Sequence, residues 1–321
     1  MHFVVFGAGA IGGVVGARLH QAGFAVTLIA RGDHLQAISR NGLELVTPEE
    51  RVVLRIPAVG APADVSWTGD DVVLLATKSQ DTQGALIGLR DAAGPTTPVV
   101  CLQNGVENER LAARLLDSVY GGVVMCPAAH LTPGAVEAYG TTLTGMIDIG
   151  RYPDGVDARC EQVCAALEGS RFTSHPAEDV MRLKHAKLLL NLGNAVHALC
   201  GTGEDSDELA ERAREEGRDV LRAAGIEHEA PEVTDLRSRW RAMGVRDIDG
   251  RARAGSSTWQ SLTRGLPLET DYLNGEIVLG GRVHGVPTPV NAALCHLAWE
   301  AAREGWAPGT LSPDDVLTVA V

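Results

Sequence analysis

The sequence predicts an α/β domain built on an open, mostly parallel sheet, followed by an all-α domain, with the joint near residue 174. Three observations carry this. Short apolar runs alternate with helix-like stretches through the first part of the chain, the pattern of strands buried on both faces. The first run, "HFVVF", leads directly into a glycine turn and then a helix. Beyond Ser174 no run alternates as a strand, and long amphipathic segments take over. The predicted domains are therefore 1–174 and 175–321.

The elements follow in order. Ala10–Ala22 reads as a helix closed by Gly23, and "FAVTLIA" as the second strand. "VVLRIPAV", "VVLLAT" and "PVVCLQN" are further strand-like runs, and "GGVVMCPAAHL" and "TTLTGMIDIGR" extend the sheet. "SHPAEDVMRLKHAKLLLNLGNAVHALCG" reads as one helix, with Pro near its start and Gly201 after its end. "SDELAERAREEGRDVLRAAG", "TDYLNGEIVLGGRVHG" and "TPVNAALCHLAWEAARE" read as three more. There is no internal repeat and no low-complexity segment.

Composition narrows the function. At 321 residues and 45% hydrophobic, the chain can bury a full core in each of two domains. A formal charge of -13 argues against a nucleic-acid or anionic-membrane binder, so any anionic ligand must be met by a local cluster of donors. No apolar run has the length of a membrane span, and the start lacks a basic leader, so a cytoplasmic protein is expected. The six cysteines form no CxxC pair; reduced, partly buried thiols are expected, and no metal. Of 28 basic residues only Lys78, Lys184 and Lys187 are lysines. Where any positive charge suffices the chain uses Arg, so a retained Lys hints that a compact, titratable ammonium is needed.

"GAGAIG", Gly7–Gly12, is a GxGxxG in strand–turn–helix context, which marks a Rossmann-type dinucleotide-binding domain. Gly7 permits the tight turn, Gly9 lets the backbone approach a pyrophosphate, and Gly12 lets helix and strand pack closely. The helix opens at Ala10, Ile11 and Gly12 and offers its N–H groups to phosphates. The second strand ends in Ala30 and Arg31, where an NAD or FAD site usually has a carboxylate; Arg31 suits the 2′-phosphate of NADP. Lys78 and Asn104 follow two further strands and fall on the same carboxyl edge, where ligands gather. A loop Lys and an ordinary Asn-Gly turn are the plainer readings of those two positions.

Within "KLLLNLGNAV", at about 100° per residue, Asn191 lies about 40° and Asn194 about 20° from Lys187, on either side. A wetted polar stripe is the plain reading. Against it stand the poor helix propensity of Asn and Gly and the place of this helix at the start of the second domain. In ketone reduction an ammonium can stabilise charge growing on the carbonyl oxygen and supply its proton, while fixed amides orient the substrate.

The chain resembles the ketopantoate reductase (2-dehydropantoate 2-reductase) family over nearly its whole length. The resemblance rests on "GAGAIGG", "ARG" after the second strand, "ATKSQD", "LQNGVEN", the Lys-to-Asn helix and "SSTWQSLTRGLPLETDYLNGEIVLGGRVHGVPTPVN". It implies NADPH-dependent reduction of 2-dehydropantoate to (R)-pantoate, on the route to pantothenate and coenzyme A. By resemblance Lys187 is the general acid. Glu269 holds the substrate hydroxyl and helps position the lysine, while Asn104, Asn191, Asn194 and Ser257 bind substrate. Arg31 and Lys78 hold the cofactor. The family often spaces its second helix Asn four residues after the first, whereas Asn194 follows Asn191 by three. The partner implied is a small 2-oxo acid, and a homodimer is compatible with the family. Two alternatives stay open: a sibling reductase acting on another 2-oxo acid, and an NADP(H)-binding redox sensor without chemistry of its own.

Overall fold

The computed structural model describes residues 1–229, 231–253 and 255–320, the side chains of Pro231 and Glu232 excepted. The chain forms two compact units, Met1–Met181 with Asp235–Arg253, and Arg182–Thr234 with Ala254–Val321. The first is mixed α/β and the second helical.

The strands are β1 (His2–Phe6), β2 (Ala25–Ile29), β3 (Leu43–Val46), β4 (Arg51–Leu54), β5 (Ala58–Val59), β6 (Asp71–Leu75), β7 (Val99–Cys101), β8 (Val119–Met125), β9 (Ala128–Ala129), β10 (Ala135–Ala138), β11 (Gly145–Arg151) and β12 (Phe172–Thr173). The main sheet runs β12-β11-β8-β7-β6-β1-β2-β5. From β8 to β5 every pairing is parallel, and β11 joins antiparallel to β8. Strands β6, β7 and β8 are buried along their whole length, which is why they read as unbroken apolar runs. After β2 the chain returns to place β6 on the other side of β1, so the crevice beyond the carboxyl ends of β1 and β6 is the switch point where open α/β sheets take ligands.

Helices α1 (Ala10–Gln21), α2 (Gly32–Asn41), α3 (Thr82–Ala93), α4 (Asn108–Ala113) and α5 (Ala158–Glu168) belong to this unit. A second sheet, β4-β3-β10-β9, lies against α1. At Gly13 a Cβ would come within 2.7 Å of Val136 on β10, so glycine sets that approach. The run "VVLRIPAV" is thus two strands in two sheets, with Pro57 between them; its apolar pattern does not distinguish one sheet from the other.

The remaining helices are α6 (Val180–Asn191), α7 (Gly193–Cys200), α8 (Glu204–Ala223), α9 (Pro231–Ala242), α10 (Ser257–Thr263), α11 (Asn274–His284), α12 (Pro289–Glu304) and α13 (Pro313–Val319). A single cut near 174 does not show that 235–253 belongs to the first unit. The cause is local: Asp148 on β11 is buried, and a buried carboxylate needs a counter-ion, which Arg239 of α9 supplies through two hydrogen bonds. Further along, Val245 bridges Gly140 and the Arg246 N–H donates to the Tyr139 carbonyl at 3.0 Å.

The expected single helix from Ser174 to Gly201 is a correction: it is two helices, broken at Leu192. A Cβ at Gly193 would sit 2.9 Å from Arg214 and 3.2 Å from Ala210, so α8 crosses at the break. Among the described residues no helix is long and apolar enough to cross a membrane.

Candidate functional site

In the first unit the glycine turn separates into three distinct roles. Gly7 has φ +102°, and a Cβ there would meet the Ala76–Thr77 backbone at 2.8 Å. At Gly12 a Cβ would fall 2.0 Å from the Gly7 carbonyl oxygen and 2.9 Å from Val5, so close packing excludes any side chain. Gly9 is different: a Cβ would meet nothing within 4 Å. Gly9 is also the N-cap of α1 and has no side chain to cap it, so the first turn at Ala10 and Ile11 could offer its N–H groups to a ligand.

His34, absent from the sequence reading, steadies this turn. The Gly134 N–H donates to its Nδ1 at 2.9 Å, which puts the ring proton on Nε2, and Nε2 donates to the Ala8 carbonyl at 2.7 Å. Arg31 caps the start of α2 and is 75% exposed, with Nη2 2.8 Å from Asp81. Lys78 begins the 3-10 turn Ser79–Asp81 just past β6, and Asn104 precedes Gly105, whose φ is +81°.

A buried network ties the loops after β6 and β7 together, and the sequence reading missed it. Gln103 Nε2 donates to Thr82 Oγ1 at 3.0 Å, Thr82 Oγ1 donates to Asn108 Oδ1 at 2.7 Å, and Asn108 Nδ2 donates to the Asn104 carbonyl at 3.1 Å and to Ser79 Oγ at 3.3 Å. Lys78 and Asn104 are thereby held in register along one edge of the sheet. The available signal was an excess of carboxamides and hydroxyls just past two apolar strands.

In the second unit, Leu189, Leu192, Val196 and Leu199 are buried, as the apolar face of α6 and α7. The polar line is no wetted stripe. Lys184 is 3% exposed, Lys187, Asn191 and Asn194 are half-buried, and the residue most open to solvent on α6 is Leu190, at 40%. Asn191 Nδ2 is sealed from solvent and has no acceptor among the described residues. Because the helix breaks at Leu192, one wheel does not carry from Asn191 to Asn194. Asn194 opens α7, and its carbonyl accepts from Ser256 Oγ at 3.4 Å. Ser256 is the N-cap of α10, so Ser257 starts a helix docked beside Asn194. Glu269 is buried and begins the 3-10 turn Thr270–Tyr272 that leads into α11.

The break is held by two buried carboxamides. Asn274 Nδ2 donates to the Leu192 carbonyl at 3.1 Å and to Asn291 Oδ1 at 2.9 Å. Asn291 Nδ2 donates to the Ala213 carbonyl at 2.9 Å and to Glu216 at 2.8 Å. Glu216 in turn accepts the first free N–H groups of α12, from Val290 and Asn291. Asn291→Ala is expected to lower stability by about 1–3 kcal/mol, since it leaves buried acceptors unmet; urea unfolding measures it.

The glycine turn at the switch point, with a helical unit that carries a half-buried lysine, defines a two-domain protein of the Rossmann dinucleotide-binding type. Two family models cover most of the chain: ketopantoate reductase PanE/ApbA over residues 3–154, and the C-terminal ketopantoate reductase PanE/ApbA domain over residues 179–301. The chain belongs to the ketopantoate reductase family. It is 32% identical to the 2-dehydropantoate 2-reductase of Halobacterium salinarum, over 95% of this chain and all of that protein. The crystal structure of a PanE/ApbA family ketopantoate reductase from Ralstonia eutropha superposes with TM-score 0.80 at 31% identity, covering 95% of this chain and 99% of the other. A D-mandelate dehydrogenase bound to NADH and anilino(oxo)acetate is similar at TM-score 0.81 and 25% identity, covering 95% and 99%.

Proposed function

We propose that this oxidoreductase reduces 2-dehydropantoate to (R)-pantoate with NADPH, for the synthesis of pantothenate and coenzyme A. The observation that carries the reading is Asn191: a buried amide donor without an acceptor among the described residues, one helical turn from a lysine in a lysine-poor chain. A buried donor left unmet needs an explanation, and a substrate oxygen supplies one.

In this reading the first unit binds cofactor. The Gly7–Gly12 turn and the N–H groups at the start of α1 take the pyrophosphate, Arg31 takes the 2′-phosphate, and Lys78 and Asn104 take ribose or phosphate oxygens along the edge. NADPH supplies the hydride when bound. Lys187 stabilises the charge that grows on the keto oxygen and gives it a proton. Asn191 and Asn194 orient the substrate, Ser257 hydrogen-bonds its carboxylate, and Glu269 accepts from its distal hydroxyl and orients Lys187. A cytoplasmic enzyme fits the six free thiols, which a reducing compartment preserves.

NADPH absorbance with a panel of 2-oxo acids tests the assignment: 2-dehydropantoate is expected to give the highest kcat/KM. Arg31→Ala is expected to raise the KM for NADPH about tenfold, on the scale of one charge-assisted contact, with no change for NADH. Equal loss with both cofactors contradicts the role of Arg31. A second reading is favoured by the likeness to D-mandelate dehydrogenase and by the three-residue step to Asn194. It makes the substrate a different 2-oxo acid, and a higher kcat/KM for benzoylformate in the same panel would select it.

A further inference from the structure

Arg253 is the last residue of the segment that returns to the first unit. Its side chain is half-buried, and its Nε is sealed from solvent with no acceptor among the described residues. The titratable groups acting on it are the Cys126 thiol and the Tyr139 phenol, and neither is a carboxylate. Glu137, the carboxylate next to Tyr139, is already engaged: it accepts from the Tyr139 hydroxyl at 2.6 Å and from Arg251 at 3.4 Å.

This sets Arg253 apart from the other buried arginines. Arg18 is clamped by Glu50, Gln21 and Thr144. Arg239 is paired with Asp148. Arg182 and Arg214 also bury an Nε, but each places an Nη near a carboxylate, Glu227 at 2.9 Å and Glu211 at 3.0 Å. Burial draws the Arg253 pKa down from its ordinary value, yet a guanidinium keeps its proton in proteins. A guanidinium whose Nε is withdrawn from water, with no counter-ion among the described residues, leaves that deficit to a ligand.

The position says which ligand. Cys126 directly follows β8, which is parallel to β7 and so ends on the same edge as β1. The sheet order β8-β7-β6-β1 puts three strand spacings, about 14 Å, between β8 and β1, and Cys126 lies beyond Gly121, the β8 residue level with Phe6. The anion beside Arg253 is therefore not the pyrophosphate held at Gly7–Gly12. It belongs further along the crevice, where the reacting end of the cofactor and the substrate would meet.

We propose that Arg253 is the counter-ion for the carboxylate of the 2-oxo acid, an inference that rests on the reductase reading. The planar guanidinium matches a carboxylate bidentately and supplies the charge that a neutral hydroxyl such as Ser257 cannot. Arg253 thus selects 2-oxo acids over esters, amides and simple ketones.

The test titrates 2-oxoisovalerate and its methyl ester onto wild type, Arg253→Lys and Arg253→Gln, each saturated with NADP+. Arg253→Gln is expected to bind the acid about 10–100-fold more weakly, to bind the ester as wild type does, and to keep its NADPH affinity. Its melting temperature is expected not to fall, because the group removed has no ion-pair partner among the described residues to lose. Arg253→Lys keeps the charge without the fork and is expected to fall between the two. On wild type itself, phenylglyoxal modification of Arg253, read by mass spectrometry, is expected to be slowed by the acid and not by the ester. Unchanged acid binding in Arg253→Gln, a loss confined to NADPH, or no protection by the acid overturns the proposal. A wild type that binds the acid but reduces no 2-oxo acid defeats the reductase reading alone. A wild type that reduces 2-dehydropantoate while Arg253→Gln binds the acid normally defeats the carboxylate site alone.

Discussion

Lys187→Ala is expected to lower kcat about 10²–10⁴-fold, the range for loss of a positioned general acid, with little change in the KM for NADPH. In the proposed role the ammonium acts on the charge that develops as hydride arrives, so its loss falls on the chemical step and not on cofactor binding. Arginine is expected to fail as well: its pKa is too high to give up a proton, and its flat fork does not replace a point donor. The fold is expected to tolerate the change. Residue 187 is half-buried on α6, the apolar face is carried by Leu188, Leu189 and Leu192, and alanine is a good helix former. Steady-state kinetics beside a thermal melt separates the two effects. Retained turnover with an intact melt contradicts the role of Lys187.

Gly12→Ala and Gly9→Ala are expected to fail in opposite ways, though both lie in one motif. At Gly12 the new methyl would sit 2.0 Å from a backbone oxygen that cannot swing aside, so helix and strand must part. A stability loss of about 1–3 kcal/mol or more is expected from such overpacking. At Gly9 the methyl enters open space, and φ of −72° suits any residue. The melt is expected to stay near wild type, while the methyl blocks the backbone approach that a pyrophosphate needs and raises the NADPH KM at least tenfold, the scale of a lost contact with a charged group. Cofactor titration and thermal melts on both variants decide this. Normal NADPH binding by a stable Gly9→Ala would remove the phosphate from this turn.

Much of this was legible in the sequence because it depends on local chemistry. The glycine turn, the buried strands β6 to β8 and the amphipathic α8 each announce themselves within a dozen residues. Lys187 stood out through lysine scarcity and Glu269 only through family resemblance, since one acid before a turn carries no signal of its own. The break at Leu192 was not legible. It depends on α8 crossing at Gly193 and on Asn274 reaching back across 82 residues to a carbonyl. The Gln103–Thr82–Asn108 network and the His34 clamp on Ala8 were hidden for the same reason: each joins residues that only the sheet topology brings together. Arg253 was one of 25 arginines in the sequence, and only the absence of a counter-ion among the described residues distinguishes it.

The proposed activity is the formation of (R)-pantoate. Chiral chromatography of the product, run beside NADPH absorbance with purified protein and 2-dehydropantoate, tests it most directly. One (R)-pantoate is expected for each NADPH consumed, with Lys187→Ala forming it about 10²–10⁴-fold more slowly. NADPH consumed only with a different 2-oxo acid, or bound and never consumed, would contradict it.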